Sequence, residues 1–233
     1  MKAVSIIGYK NSGKTSLAVN LCRALTAQGL KVAGAKFSHQ GFDTQDTDTS
    51  KLAQVCAAVA GISERESLLI WPYKRYLPDV VPLLEADVLV VEGGKSLNNM
   101  PRIIIPGPEG RVQDLRPELA LACFGSGSVQ GMMCTQDVDV LVKLVLAQGF
   151  YLPGLDCGSC GREDCGQMCS AIVAGQAGVE DCTAMQSGLT IHVNGTPLGL
   201  NPFASSIVAG SIKGMLSQLK GFGPGSIEIS LES

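Results

Sequence analysis

Gly8-Tyr9-Lys10-Asn11-Ser12-Gly13-Lys14-Thr15 fits the pattern G-x-x-x-x-G-K-[ST], and its surroundings give the pattern meaning. An apolar run, Ala3–Ile7, enters it. Ser16–Gln28 leaves it with Leu17, Leu21 and Leu25 at helical spacing, and Gly29 follows as a helix-terminating glycine does. Strand, glycine loop and helix in this order make a phosphate-binding loop (P-loop). Gly8 and Gly13 permit backbone conformations that turn successive N–H groups toward phosphate oxygens. Lys14 brings a positive charge to the β- and γ-phosphates, and the Thr15 hydroxyl suits Mg²⁺. The helix from Ser16 points its positive end at the same anion. The nucleotide-binding set is therefore Gly8, Lys10, Asn11, Ser12, Gly13, Lys14, Thr15 and Ser16, with Lys14 also the catalytic cation.

Outward from this loop, a P-loop protein needs an acidic residue at the end of a neighbouring strand. Val88-Leu89-Val90-Val91-Glu92-Gly93-Gly94 supplies Glu92 after four apolar residues, and the two glycines let the chain leave beside the phosphates. Lys31–Lys36 reads as the second strand. The polar segment Ser38–Thr49 reads as a loop carrying Asp43, Asp46 and Asp48. Asp48, next to Thr49, is the choice for a catalytic role through Mg²⁺ or water, so the expected Mg²⁺ contacts are Thr15, Asp48 and Glu92. His39 in this loop reads as solvated, and His192 as lying on a strand face.

A helix is expected from about Ser50 to Ala60, and further strands at Ser67–Ile70, Arg102–Ile105 and Leu119–Cys123. A helix from Asp137 to Gln148 closes the series at Gly149. Strands alternating with helices predict a doubly wound, mostly parallel α/β sheet. The composition agrees. Of 233 residues, 45% are hydrophobic, 17% charged and 5% aromatic, so a large core is easily buried and extensive disorder is excluded. A net charge of −3 argues against a general nucleic-acid binder. No signal peptide and no apolar run of about 18 residues occurs, so neither export nor a membrane span is expected, and the chain is assigned to the cytoplasm.

Nine cysteines, an odd number, make a poor disulfide framework. Cys157, Cys160 and Cys165 follow the spacing C-x₂-C-x₄-C, and Cys182 comes after sixteen further residues. A tight Cys-x-x-Cys turn can place two thiolates on adjacent irons of one cube, and Gly158 and Gly161 permit that turn. A short helix, Gln167–Ala174, ends at Gly175 and returns the chain so that Cys182 can close the site. Zinc is the rival occupant, although zinc ribbons usually pair two Cys-x-x-Cys knuckles and here there is one. Cys22, Cys56, Cys123, Cys134 and Cys169 read as small packing residues.

The P-loop octapeptide, with Lys36, His39, Phe42-Asp43, Asp48-Thr49 and Val91-Glu92-Gly93, resembles the MobB family. Its members are P-loop GTP-binding adapters of molybdopterin-guanine dinucleotide biosynthesis. The resemblance covers roughly residues 1–150 and implies Mg²⁺–nucleotide binding, weak intrinsic hydrolysis and a homodimer. The family's histidine-rich stretch is reduced to Phe37-Ser38-His39-Gln40, and no Asn-Lys-x-Asp guanine motif is present. The residues themselves leave GTP and ATP open. Cys157, Cys160-Gly161, Cys165, Gly175 and Asp181-Cys182 resemble the [4Fe–4S] module of the electron-transport subunit RnfB and of the large subunit of corrinoid iron–sulfur proteins. Cys169 stands where that module usually has a small residue.

Three parts are expected: a nucleotide-binding domain over 1–150, an iron–sulfur segment over 151–188 and an α+β unit over 189–233. In the last, Thr190–Val193 and Thr196–Leu200 flank Asn194-Gly195, a hairpin signal. A helix over Pro202–Leu219 and a strand at Ile227–Leu231 follow. The leading functional expectation is an adapter in molybdenum or tungsten cofactor maturation, a weak P-loop GTPase or ATPase with a [4Fe–4S] cluster. Its partner would be a cofactor-synthesis protein or a molybdo- or tungsto-enzyme. Two others stay open: a nucleotide-gated electron-transfer protein, and a non-catalytic module with a structural metal.

Overall fold

A computed structural model describes the chain except residues 39, 40, 42–46, 109, 110, 131, 186–188, 195, 199, 201, 224, 226, 232 and 233. His39, Asp43 and Asp46 thus lie outside the described residues. The chain runs β1 (Lys2–Gly8), α1 (Lys14–Ala27), β2 (Val32–Lys36), α2 (Asp48–Ala53), β3 (Val59–Ile62), β4 (Ser67–Ile70), α3 (Leu77–Val80) and β5 (Val88–Glu92). It continues through β6 (Arg102–Ile105), β7 (Ala120–Phe124), β8 (Ser128–Val129), β9 (Met132–Thr135), α4 (Val138–Gln148) and α5 (Cys165–Val173). The hairpin β10 (Ile191–Val193) and β11 (Thr196–Leu198) and the helix α6 (Pro202–Leu216) complete it.

Seven strands form one sheet in the order β2-β5-β1-β6-β7-β9-β8, parallel throughout except for the β8–β9 pair. The mostly parallel α/β sheet expected from the alternation of strands and helices is the architecture that forms. β1 lies at its centre, buried from Ala3 to Gly8, as an apolar run covered on both faces should be. On one face, Leu17, Leu21 and Leu25 of α1 and Leu141, Val142 and Val145 of α4 pack over the sheet residues Val4, Ile6, Val88, Val90 and Ile103. On the other, Ala3, Leu89, Val91 and Met100 meet Leu77 of α3. The register pairs Ile6 with Glu92 and Gly8 with Ile105, so the ends of β5 and β6 arrive beside the glycine loop.

Four expectations are corrected. The helix expected over Ser50–Ala60 stops at Ala53, because Val59–Ile62 pairs antiparallel with Ser67–Ile70. The β-branched Val59 and Ile62 satisfy their backbone there and not in a helix. Ser67–Ile70 accordingly belongs to this hairpin and not to the central sheet. Cys123 and Cys134 are not separate packing residues. They face each other across β7 and β9, with Cα atoms 4.3 Å apart, and form a disulfide. The stretch 227–231 is not a strand. Beyond α4, Phe150 and Leu152 are buried with Leu119, Met168, Cys169 and Cys182, so the cysteine segment packs on the sheet domain. Among the described residues no helix is long and apolar enough to cross a membrane.

Candidate functional site

The glycine loop is shaped by close approach. A Cβ on Gly8 would lie 2.5 Å from Ser12 Oγ and 3.0 Å from the Ile105 carbonyl oxygen, so β1 can turn here only as glycine. Asn11 and Gly13 take left-handed φ values of 60° and 88°. Gly13 offers no side-chain cap to α1, and the first turn of α1 contains no acidic residue. The first amides of a helix have no intrahelical acceptor, so this end of α1 presents donors and an uncompensated positive dipole. The Ser12 hydroxyl is buried with no hydrogen-bond partner among the described residues. This cradle fits an anion.

Its cations and carboxylate converge on one spot. Thr15 Oγ1 donates to Glu92 Oε1 at 2.7 Å, and Lys36 Nζ lies 3.6 Å from Glu92 Oε2. Lys14 Nζ donates to the Tyr9 carbonyl at 2.5 Å. Burial holds the Lys14 ammonium below the usual lysine range; Glu92 pulls it back up, and Lys95 and Lys36 push it further down. Gly93 and Gly94 have φ values of 84° and 74° and carry the chain away from Glu92. Two basic residues that spacing did not single out for phosphate reach the loop through Tyr9. Lys95 Nζ sits 4.8 Å and the Arg111 guanidinium 4.7 Å from its ring centroid, and Arg111 Nε donates to the Tyr9 hydroxyl at 3.1 Å. Lys95 follows the double glycine directly, which was the available signal. Asp48 opens α2 with its side chain 97% exposed and 3.3 Å from Lys51. No hydrogen bond or ion pair among the described residues joins it to Lys14, Thr15 or Glu92.

At the other site, Cys157, Cys160, Cys165 and Cys182 line one small recess together with Pro153, Met168 and Ala184. None of the four is in a disulfide. Gly158 and Gly161, at φ 68° and 80°, make the turn between the first two, closed by Gly161 N–H to the Gly158 carbonyl at 2.9 Å. Asp164 caps α5 through Gln167 N–H at 2.7 Å, and Asp156 accepts from Cys165 N–H at 2.8 Å. α5 begins at Cys165 itself, two residues earlier than its periodicity indicated. Burial pushes the thiols of Cys165 and Cys182 up. Cys169 does not line the recess; it is buried in the apolar cluster, and burial pushes its thiol up to about 12. No group of three or more His, Cys, Asp or Glu side chains among the described residues is arranged to hold a single metal ion. Four thiols around one recess fit a cluster that spreads its ligands over several irons.

Comparison with known proteins finds matches to both parts of the chain. The profile of the family described as "Molybdopterin guanine dinucleotide synthesis protein B" matches residues 3–120, half of the chain. A second profile, described as "Putative Fe-S cluster", matches residues 152–184. A curated protein of Methanocaldococcus jannaschii, named "Putative molybdopterin-guanine dinucleotide biosynthesis adapter protein", is 25% identical over 242 residues, covering 100% of this chain and 98% of its own. The fold is similar to a crystal structure of Bacillus subtilis MobB, with a TM-score of 0.54 at 23% identity, covering 64% of this chain and 99% of that one. A second structure of Bacillus subtilis MobB gives a TM-score of 0.51 at 22% identity with the same coverage.

Proposed function

We propose that this chain, which belongs to the molybdopterin guanine dinucleotide synthesis protein B (MobB) family, is a nucleotide-binding adapter in molybdenum or tungsten cofactor maturation that carries a [4Fe–4S] cluster. The observation that carries the nucleotide part is the contact of Thr15 with Glu92 at the uncapped start of α1. There a hydroxyl and a carboxylate stand side by side where Mg²⁺ would meet the β- and γ-phosphates of GTP or ATP. Amides of Gly8, Lys10, Asn11, Ser12, Gly13 and Ser16 would wrap the phosphates, and Lys14 would neutralise them. Bound Mg²⁺ would supply charge to the phosphate oxygens; Asp48 would join its shell only after a movement of α2. Hydrolysis would be weak. The end-to-end match to the Methanocaldococcus jannaschii protein supports the adapter role. Residues 1–150 would hold nucleotide and 151–188 the cluster, while 189–233 would form a third unit. The adapter would act in the cytoplasm as a homodimer beside a cofactor-synthesis protein or a molybdo- or tungsto-enzyme.

The cysteine recess supports iron–sulfur over zinc. Four thiols line it, a single Cys-x-x-Cys knuckle stands where zinc ribbons pair two, and the match of residues 152–184 to the family described as "Putative Fe-S cluster" supports the same reading. Anaerobic purification followed by analysis of iron, sulfide and bound nucleotide tests both halves. About four irons and four sulfides per chain, with GTP or ATP binding that depends on Mg²⁺, is the expected result. Stoichiometric zinc without sulfide overturns the cluster; absence of nucleotide binding overturns the adapter.

A further inference from the structure

Arg102 is the charge that strand periodicity does not explain. It opens β6 in an apolar run and is completely buried. Its fork spans two separate pieces of chain. Nη1 donates to the Leu115 carbonyl at 2.9 Å. Nη2 donates to the Lys95 carbonyl at 2.8 Å and also to the Leu97 carbonyl, with Asn98 Oδ1 at 3.5 Å. No carboxylate among the described residues pairs with it, and burial followed by the neighbouring Arg116 lowers its guanidinium to about 10, still cationic at neutral pH.

The two pieces lead to the two sites. Lys95–Asn98 continues from Glu92 through Gly93-Gly94, and Lys95 itself lies over Tyr9 of the glycine loop. On the other side, Leu115 precedes Arg116, whose guanidinium covers Gly166. A Cβ there would come within 3.1 and 3.2 Å of the two Nη atoms of Arg116. Gly166 follows Cys165 at the start of α5. Leu119, three residues beyond Arg116, shares the buried cluster of Met168, Cys169 and Cys182.

We infer that Arg102 is a positioning residue that couples the two sites, so that filling the cysteine recess and binding nucleotide strengthen each other. The inference rests on the nucleotide and iron assignments above. A filled recess fixes Cys165 and hence α5, Arg116 and the Leu115 carbonyl. The guanidinium is rigid and planar, so its other edge then fixes the turn between Glu92 and Asn98. Thr15 and Glu92 would hold Mg²⁺ with the triphosphate, and Glu92, now bonded to Thr15 and Lys36, begins the same turn from the opposite end. Coupling of this kind is reciprocal: one factor describes both affinities.

The test measures Kd for fluorescent GTP and ATP analogues with Mg²⁺, using the full chain in iron-loaded and iron-free forms. It also measures iron affinity by chelator competition with and without nucleotide. For the wild type, iron loading should tighten nucleotide binding about 5-fold or more, and nucleotide should raise iron affinity by the same factor. Arg102→Lys keeps the charge but not the fork, and should bring the ratio to one while both sites still fill. Arg116→Ala, at a half-buried position where the guanidinium pairs with Glu118, should lower the ratio in the same way and serves where the Arg102 variant unfolds. Equal nucleotide Kd values in the two wild-type forms, or a wild-type ratio in the variants, would overturn the coupling while leaving the two sites intact. Failure to bind iron or nucleotide at all would overturn the proposed function, and the coupling with it.

Discussion

At the scale of single residues, the glycine loop tolerates little. A methyl group at Gly8 meets the Ser12 hydroxyl and the Ile105 carbonyl inside contact distance. Gly8→Ala should therefore destabilise the fold by about 1–3 kcal/mol, as overpacking of a tight site does, and weaken nucleotide binding as well. Urea unfolding midpoints together with nucleotide titrations would register both; an unchanged midpoint would mean that the loop relaxes freely. Lys14 holds its ammonium on the Tyr9 carbonyl. Lys14→Ala removes a charge-assisted contact worth about 2 kcal/mol, a loss of roughly 30-fold in triphosphate affinity. Fluorescent-nucleotide titration reads this directly, and equal affinities would remove Lys14 from the site. Both residues were legible in the sequence, since a P-loop is a local pattern whose fixed positions follow from backbone geometry. Arg102 was not legible in this sense. Its acceptors at 95, 97 and 115 come from separate turns, and no spacing rule gathers them.

At the scale of elements, α5 divides its cysteines between two duties. Cys165 starts the helix and faces the recess, while Cys169, one turn on, faces the apolar cluster. Changing Cys157, Cys160, Cys165 or Cys182 to Ala should abolish iron and sulfide uptake. Cys169→Ala should keep iron and lose about 1 kcal/mol of stability through the deleted sulfur. Iron and sulfide content and thermal melting separate the outcomes; loss of iron from Cys169→Ala alone would reassign the ligands. The cysteine spacing carried this division because Cys-x-x-Cys turns and a glycine-ended helix are short-range features. The β3–β4 hairpin was missed for the opposite reason. Val55, Cys56 and Val59 suit a helix face locally, and only pairing with Ser67–Ile70 decides otherwise. The Cys123–Cys134 bridge likewise depends on register between β7 and β9, which sequence separation does not reveal.

At the scale of the molecule, two arginines that reach the glycine loop or the turn after Glu92 are already engaged. Arg102 is buried against carbonyls, and Arg111 is bound to Tyr9. An arginine finger contributes about 10³–10⁵ in rate, so the isolated protein should release phosphate far more slowly than about ten times per second. Continuous phosphate-release measurements would show it, and turnover at that level would mean another group supplies the charge. The junction between domain and cysteine segment has a consequence for how the protein is made. Asn99 and Leu152 exchange hydrogen bonds, Leu152 N–H to the Asn99 carbonyl at 2.8 Å and Asn99 Nδ2 to the Leu152 carbonyl at 2.9 Å. On the ribosome, α4 ends at Gln148, so every strand of the sheet has been synthesised before Cys157. The residues that seat α5, Leu119, Phe150 and Leu152, likewise precede it in the chain. If the proposed cluster forms, its assembly waits on Cys182, the last of the four cysteines to be synthesised, and a chain released before that residue would carry the whole sheet and glycine loop but lack the fourth thiol.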